Sequence, residues 1–85
     1  MTMDYDRQYP NRLRVIRLNA GYQQQHVARM LGHKDTVSLC QWENENTMPN
    51  GTNLIKLCVL YSSTPQELYP EYYQQIERIL FARFQ

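Results

Sequence analysis

The 85-residue chain contains only three glycines, four prolines and two cysteines. It has no low-complexity tract or internal repeat, and no run approaches the roughly 18 apolar residues that a transmembrane helix requires. We therefore expect no membrane partner. Cys40 and Cys58 fit no paired zinc or redox spacing. The first ten residues, MTMDYDRQYP, are polar and acidic, unlike a signal peptide, so we expect a cytoplasmic protein with reduced thiols.

Basic side chains are concentrated in one part of a nearly neutral chain. Nine basic and eight acidic side chains give a formal net charge of +1. Residues 7–34, however, contain six basic side chains and no acidic one, so the acidic side chains all lie outside this segment. A basic segment of this length favours a polyanionic partner such as nucleic acid.

Apolar residues recur at spacings of three and four, and no useful stretch alternates with the period of two that is typical of strands. We therefore predict an all-α chain without a sheet. The predicted helices are 10–20, 23–31, 36–43, 52–61, 65–69 and 71–84. They divide the chain into a flexible N-terminal arm (1–9), a compact five-helix domain (10–69) and an additional C-terminal helix (70–85).

Local signals support the predicted helix ends. Gly21 and Gly32 are typical of left-handed residues that stop a helix. Asp35 is a candidate cap for the third helix, where its carboxylate would accept from the amide of Val37 or Ser38. Thr64, with Pro65 next and Glu67 three residues later, predicts a capping box on the fifth helix.

Many residues between Leu13 and Leu68 keep one register that is typical of a known family. They are Ile16, Arg17, Gly21, Gln24, Val27, Ala28, Leu31, Gly32, Leu39, Trp42, Glu43, Pro49, Leu54, Leu57, Thr64, Pro65 and Leu68. This order resembles the Xre/Cro-type helix-turn-helix family of phage repressors and small bacterial regulators. The sequence departs from the family at Glu45, where glycine is usual. It also departs at Cys58, where alanine is common, and at Val37, where polar residues are common.

The resemblance implies that the third helix enters the major groove of duplex DNA. Because Leu39 and Trp42 should face the core, the outward residues at its leading end are the predicted base contacts. These are Thr36, Val37, Ser38 and Gln41. A glutamine can bond adenine at two points, and threonine and valine offer methyl groups to thymine. The alternative interpretation is an ordinary solvated helix face.

Polar and basic residues around this helix are the predicted contacts to the DNA backbone. They are Arg14, Gln23, Gln24, Lys34 and Asn44, with Arg12 and Arg29 as further candidates. For Gln24 the resemblance implies a side chain that braces the contact to the DNA backbone and that often touches DNA itself. It also implies a structural ion pair between Arg17 and Glu43, which would tie the third helix to the first. For each exposed basic residue, a merely solvated side chain is the alternative.

The C-terminal helix carries an apolar arc of about 200°, wider than a helix needs to cover its own core. We therefore predict a two-fold homodimer through this helix; a wider intramolecular core is the alternative. The predicted interface residues are Tyr72, Tyr73, Ile76, Leu80 and Phe84.

The sequence contains no catalytic constellation or nucleotide-binding fingerprint, so we expect neither an enzyme nor a cofactor. His26, His33 and Cys40 recur every seven residues, but a turn interrupts any common helical face, and we expect no metal site. The predicted function is a transcriptional repressor that binds duplex DNA as a homodimer. An antitoxin or adaptor that binds a small protein partner, and a controller of a restriction system or mobile element, remain alternatives.

Overall fold

The computed structural model describes residues 8–82, and every regular element in this range is an α-helix. The helices are α1 (Leu13–Asn19), α2 (Gln24–Leu31), α3 (Val37–Glu43), α4 (Gly51–Tyr61), α5 (Pro65–Leu68) and α6 (Pro70–Ala82). The predicted all-α class is therefore confirmed for the described part of the chain, which contains six helices and no strand.

The predicted signals at the helix ends are present. Gly21 and Gly32 have φ values of 83° and 85°, in the left-handed region that favours glycine. At α5, the Thr64 hydroxyl accepts from the Glu67 amide and the Glu67 carboxylate accepts from the Thr64 amide, which forms the predicted capping box. Asp35 Oδ1 accepts from the Val37 amide at 3.0 Å. Thr36, however, occupies the cap position, so α3 begins one residue later than predicted.

The core is formed by one fully buried side chain from each of the first five helices. These are Leu13, Val27, Leu39, Leu57 and Leu68. Ala28, Leu31 and Trp42 are also buried, as their helical spacing predicts. The sixth helix differs because it has no buried residue and packs chiefly on α5. The first five helices thus form the packed domain, and α6 is attached to its side.

The first helix begins at Leu13 rather than at Pro10. The Arg12 amide donates to the Leu68 carbonyl at 2.8 Å, and Asn11 Oδ1 accepts from the Leu13 amide at 2.9 Å. Such a local side-chain bond competes with helix formation, so residues 10–12 stay outside the helix. Ala20, the last residue of the predicted helix 10–20, lies just past the end of α1 and is exposed.

The predicted arm (1–9) falls mainly outside the described residues. Its last residue, Tyr9, is half-buried, and its ring meets that of Tyr72 edge to face, with centroids 5.3 Å apart. Tyr9 therefore belongs to the folded domain and not to the arm.

Replacing Gly32 with alanine should destabilise the protein by about 1–2 kcal/mol, because a Cβ is disfavoured in the left-handed region. An added Cβ at Gly32 would meet nothing within 4 Å, so the loss would come from the backbone conformation alone. Gly51→Ala is the matched control: Gly51 lies in the first turn of α4, also in open space and without a positive φ. Urea unfolding should show no loss for Gly51→Ala, and equal losses for both variants would contradict the prediction.

Candidate nucleic-acid interface

The leading end of α3 presents the predicted base-contact residues on its outer side. Leu39 and Trp42 are buried beneath the helix, with 0% and 5% of their surface exposed. On the other side, Val37 is 57% exposed and Gln41 is exposed, one helical turn apart. Thr36 and Ser38 are half-buried beside them. The four side chains therefore form one accessible cluster, with polar groups and methyl groups side by side.

A buried ion pair holds the opposite end of α3. Arg17 Nε lies 2.7 Å from Glu43 Oε2, and the guanidinium makes a second bond, at 3.2 Å, to Glu43 Oε1. The two side chains are only 8% and 3% exposed. The hydrogen bond to Glu43 raises the pKa of Arg17, against the opposing effect of burial. The pair thus ties α1 to α3 by a two-point contact.

Two further residues extend this ion pair into a network. Gln24 Nε2 donates to Glu43 Oε1 at 2.9 Å, and the Arg17 guanidinium also donates to the Tyr22 carbonyl at 2.9 Å. The network therefore joins α1, the start of α2 and the end of α3. The Gln24 side chain, predicted to brace and to contact DNA, makes a bracing bond here and remains half-exposed.

Tyr61 lies close enough to the ion pair to be affected by its charges. Burial, and after it the Glu43 carboxylate, raises the pKa of Tyr61, so the phenol is neutral at physiological pH. Its hydroxyl is buried and has no hydrogen-bond partner among residues 8–82. The ion pair itself is 8% and 3% exposed, and this burial strengthens the attraction between its charges.

The other predicted backbone contacts are exposed around α2 and α3. Arg14 lies on α1, Gln23 precedes α2, and Asn44 follows α3, where its side-chain Nδ2 donates to Cys40 Sγ at 3.5 Å. Lys34 lies in the turn between α2 and α3. It lines a cavity of about 230 Å³ together with Arg29, His33 and Thr36, among others. A predicted backbone contact and a predicted base contact therefore lie beside the same cavity.

Two contacts to Trp42 were not anticipated from the sequence. His33, considered only as a metal ligand, meets the Trp42 ring with centroids 5.7 Å apart, which seats the turn before α3 on the core. Asn11, which falls within the predicted helix 10–20, donates from its side chain to the Trp42 carbonyl at 2.8 Å. The one sequence signal near this second contact is Glu45, the non-glycine residue where the resembling family usually has glycine.

The sixth helix presents an apolar face that the rest of the protein leaves largely uncovered. Tyr72 is half-buried against Tyr9 and Tyr69, whereas Tyr73, Ile76 and Leu80 are 40%, 38% and 49% exposed. These residues line a groove of about 380 Å³, whose other wall includes Met48, Leu54 and Pro65. Phe84, the last predicted interface residue, lies outside the described residues.

Residues 8–82 contain no group of three or more His, Cys, Asp or Glu side chains placed to hold a metal ion. Within the same range, none of the helices has the length and hydropathy needed to cross a membrane.

Both cysteines are free; Cys40 is exposed on α3. Cys58 is half-buried, and burial raises the pKa of its thiol, which is therefore protonated at neutral pH.

A comparison with protein families finds one match. A family model described as helix-turn-helix matches residues 13–68, which span α1 to α5. Compared with curated proteins and with solved structures, the chain matches none. The family match thus covers the α1–α3 network and the outward face of α3, whereas α6 lies beyond it.

Replacing Arg17 with alanine should lower the free energy of unfolding by about 3–5 kcal/mol, because it leaves the buried Glu43 carboxylate without its partner. Arg14→Ala, on the exposed face of the same helix, is the matched control and should change stability by no more than about 0.5 kcal/mol. Thermal and urea unfolding measure both effects. A melting temperature for Arg17→Ala equal to that of the control would show that the ion pair does not brace α3.

Proposed function

Since the chain belongs to the Xre/Cro-type helix-turn-helix family of DNA-binding transcription regulators, we propose that it recognises specific duplex sequences through α3. The observation that carries this proposal is the outward cluster at the leading end of α3. Thr36, Val37, Ser38 and Gln41 are accessible there, while Leu39 and Trp42 fix the opposite side of the helix in the core.

The chemistry of this cluster suits the edges of base pairs in the major groove. An α-helix fits that groove, and the residues near its N-terminus reach the bases. The Gln41 amide has a donor and an acceptor that match adenine, while the methyl groups of Thr36 and Val37 suit thymine. Each good pairing contributes about 1–3 kcal/mol of discrimination. The preferred operator would therefore be rich in A·T pairs at the positions that these residues read.

Contacts to phosphates would set the position of α3 in the groove without reading sequence. The proposed contacts are Arg14, Gln23, Gln24, Lys34 and Asn44. Gln23 is the N-cap of α2 and Gln24 is its first residue; the first amides of the helix have no intrahelical partners and favour an anion. Lys34 adds positive charge beside Thr36. Arg17 and Glu43 have a different role, since they form an ion pair with each other and keep α3 at a fixed angle.

We propose that two copies bind one operator through their α6 helices. A 13-residue helix without a buried residue gains little from packing within its own chain, and helices of this length are marginal in water when isolated. Packing Tyr73, Ile76 and Leu80 against the same residues of a second copy would cover this face. The two α3 helices would then lie about 34–36 Å apart, in successive major grooves.

The proposed consequence of binding is repression of transcription by occupation of promoter DNA in the cytoplasm. A controller protein that also activates would use the same DNA surface. An antitoxin or adaptor is the second candidate, favoured by the same apolar face of α6, which suits a different protein as well as a second copy. In that case a small partner would co-purify with the protein.

Duplexes selected from a random library should contain a two-fold symmetric sequence that the protein prefers over scrambled DNA. Gln41→Ala and Thr36→Ala should each reduce this preference about tenfold, because each removes one base contact worth about 1–3 kcal/mol. Gln75→Ala is the matched control, because Gln75 is exposed on α6, far along the chain from the proposed contacts. Fluorescence anisotropy measures the affinities, and full preference in both α3 variants would contradict the proposed role of α3.

Sedimentation at micromolar protein concentration should show a dimer. Leu80→Glu should produce a monomer, because it places a charge in the proposed apolar interface. Gln75→Glu introduces the same side chain on nearly the opposite side of α6 and should remain dimeric. A parent protein that is monomeric at every concentration would rule out the homodimer.

A further inference from the structure

The chain segment before α1 crosses the C-terminal end of α3 and is hydrogen-bonded to it. Asn11 Nδ2 donates to the Trp42 carbonyl at 2.8 Å. The Asn11 amide donates to Glu45 Oε2 at 3.2 Å, and the Tyr9 amide donates to the Glu45 carbonyl at 3.2 Å. Side chains and backbone groups separated by more than 30 residues in sequence are therefore joined at this point.

Glu45 adopts a backbone conformation that a glutamate rarely uses. Its φ is 70°, in the left-handed region that is disfavoured for residues with a Cβ. Such a conformation persists only where surrounding interactions enforce it, and strained residues concentrate at functional sites. Here both ends of Glu45 are held, since its carboxylate accepts from Asn11 and its carbonyl accepts from Tyr9. A glycine would adopt this φ readily but would have no carboxylate for Asn11.

The same segment is also attached to the helices on the other side of the domain. The Arg12 amide donates to the Leu68 carbonyl at the end of α5, and the Tyr9 ring packs on Tyr72 of α6. Residues 9–12 thus connect the end of α3 to α5 and α6. Because α3 has only seven residues, its direction depends on such attachments rather than on its own stability.

We propose that Asn11 and Glu45 are positioning residues for DNA recognition, which clamp the C-terminal end of α3 and set its angle to α5 and α6. The Arg17–Glu43 ion pair fixes α3 to α1, and the Asn11–Glu45 clamp fixes it to the part of the domain that carries α6. This proposal rests on the proposed function, because a fixed angle between α3 and α6 matters for operator reading only if α3 reads bases.

Asn11→Asp tests the clamp with almost no change in shape. The aspartate keeps the oxygen that accepts from the Leu13 amide but replaces the donor to Trp42 by a second oxygen. Asn19→Asp introduces the same charge at an exposed position at the end of α1 and is the matched control.

Hydrogen exchange reports on the clamp directly. The amides of Asn44, Glu45 and Asn46 are bonded to carbonyls of α3. In Asn11→Asp they should exchange about tenfold faster or more, as expected for the loss of the Nδ2 hydrogen bonds to the Tyr9 and Trp42 carbonyls and the approach of like charges. The Leu54 amide of α4, which donates to the Asn50 carbonyl, should be unaffected. Unchanged exchange at residues 44–46 would overturn the clamp.

The affinity ratio between a duplex selected from a random library and its scrambled counterpart reports on positioning. In Asn11→Asp this ratio should fall about tenfold, while affinity for the scrambled duplex stays unchanged. In Asn19→Asp the ratio should stay unchanged. Faster exchange with an unchanged ratio would reduce the clamp to a structural role and overturn the proposal. If the parent protein prefers no duplex, the proposed function and the positioning role fail, and the exchange data alone decide whether the clamp exists.

Glu45→Gly is a second test of the clamp, for the case in which Asn11→Asp fails to fold. Glycine relieves the left-handed strain while removing the carboxylate, so this variant should remain folded, with a melting temperature near that of the parent. It should show the same faster exchange at residues 44–46 and the same reduced affinity ratio as Asn11→Asp. Parent-like values of both quantities would exclude the Glu45 carboxylate from the clamp.

Discussion

The two-point ion pair between Arg17 and Glu43 determines how the remaining surface can be used. The third helix has seven residues, too few to be stable alone, and two of them face the core. A planar guanidinium that meets both carboxylate oxygens fixes direction as well as distance, which a lysine ammonium cannot do. Gln24 bonds the same carboxylate. The outward face of α3 is therefore held in one orientation relative to α1 and α2, as recognition of a rigid duplex requires.

The core and the two proposed interaction surfaces use different side chains. Each of α1 to α5 contributes one fully buried side chain to a single core, whereas α6 contributes no buried side chain. The polar and methyl groups at the leading end of α3 suit base edges, and the uncovered tyrosine, isoleucine and leucine side chains of α6 suit another apolar helix. The segment from Tyr9 to Arg12 touches the end of α3 and both C-terminal helices, so it provides a structural connection between these two surfaces.

The sequence predicts the parts of the structure that depend on local chemistry. Gly21, Gly32 and the Thr64–Glu67 capping box mark helix ends because backbone conformation and neighbouring side chains decide them. The spacing of Leu39 and Trp42 predicts which side of α3 is buried, and it thereby predicts the exposed candidate base contacts. The register shared with the helix-turn-helix family points to Arg17 and Glu43, although 26 positions separate them.

Other features depend on contacts that no local pattern contains. The residue before α1, Arg12, donates its amide to the Leu68 carbonyl, and the Tyr9 ring packs on Tyr72 of the last helix. Neither partner can be inferred from periodicity. The Asn11–Glu45 contact joins two loop residues across 34 positions, and an asparagine before a helix is ordinarily interpreted as a local cap. The candidate base contacts and the Arg17–Glu43 pair were thus easier to infer from the sequence than the Asn11–Glu45 contact.

The helix that contacts DNA can be identified from the amide chemical shifts of the isotope-labelled protein during titration with a selected duplex. The largest changes should occur at Thr36, Val37, Ser38 and Gln41, with smaller changes at the start of α2. Signals of the buried core should hardly move. Changes concentrated on α4 or α6, with residues 36–41 unaffected, would contradict the assignment of α3 as the helix that reads DNA.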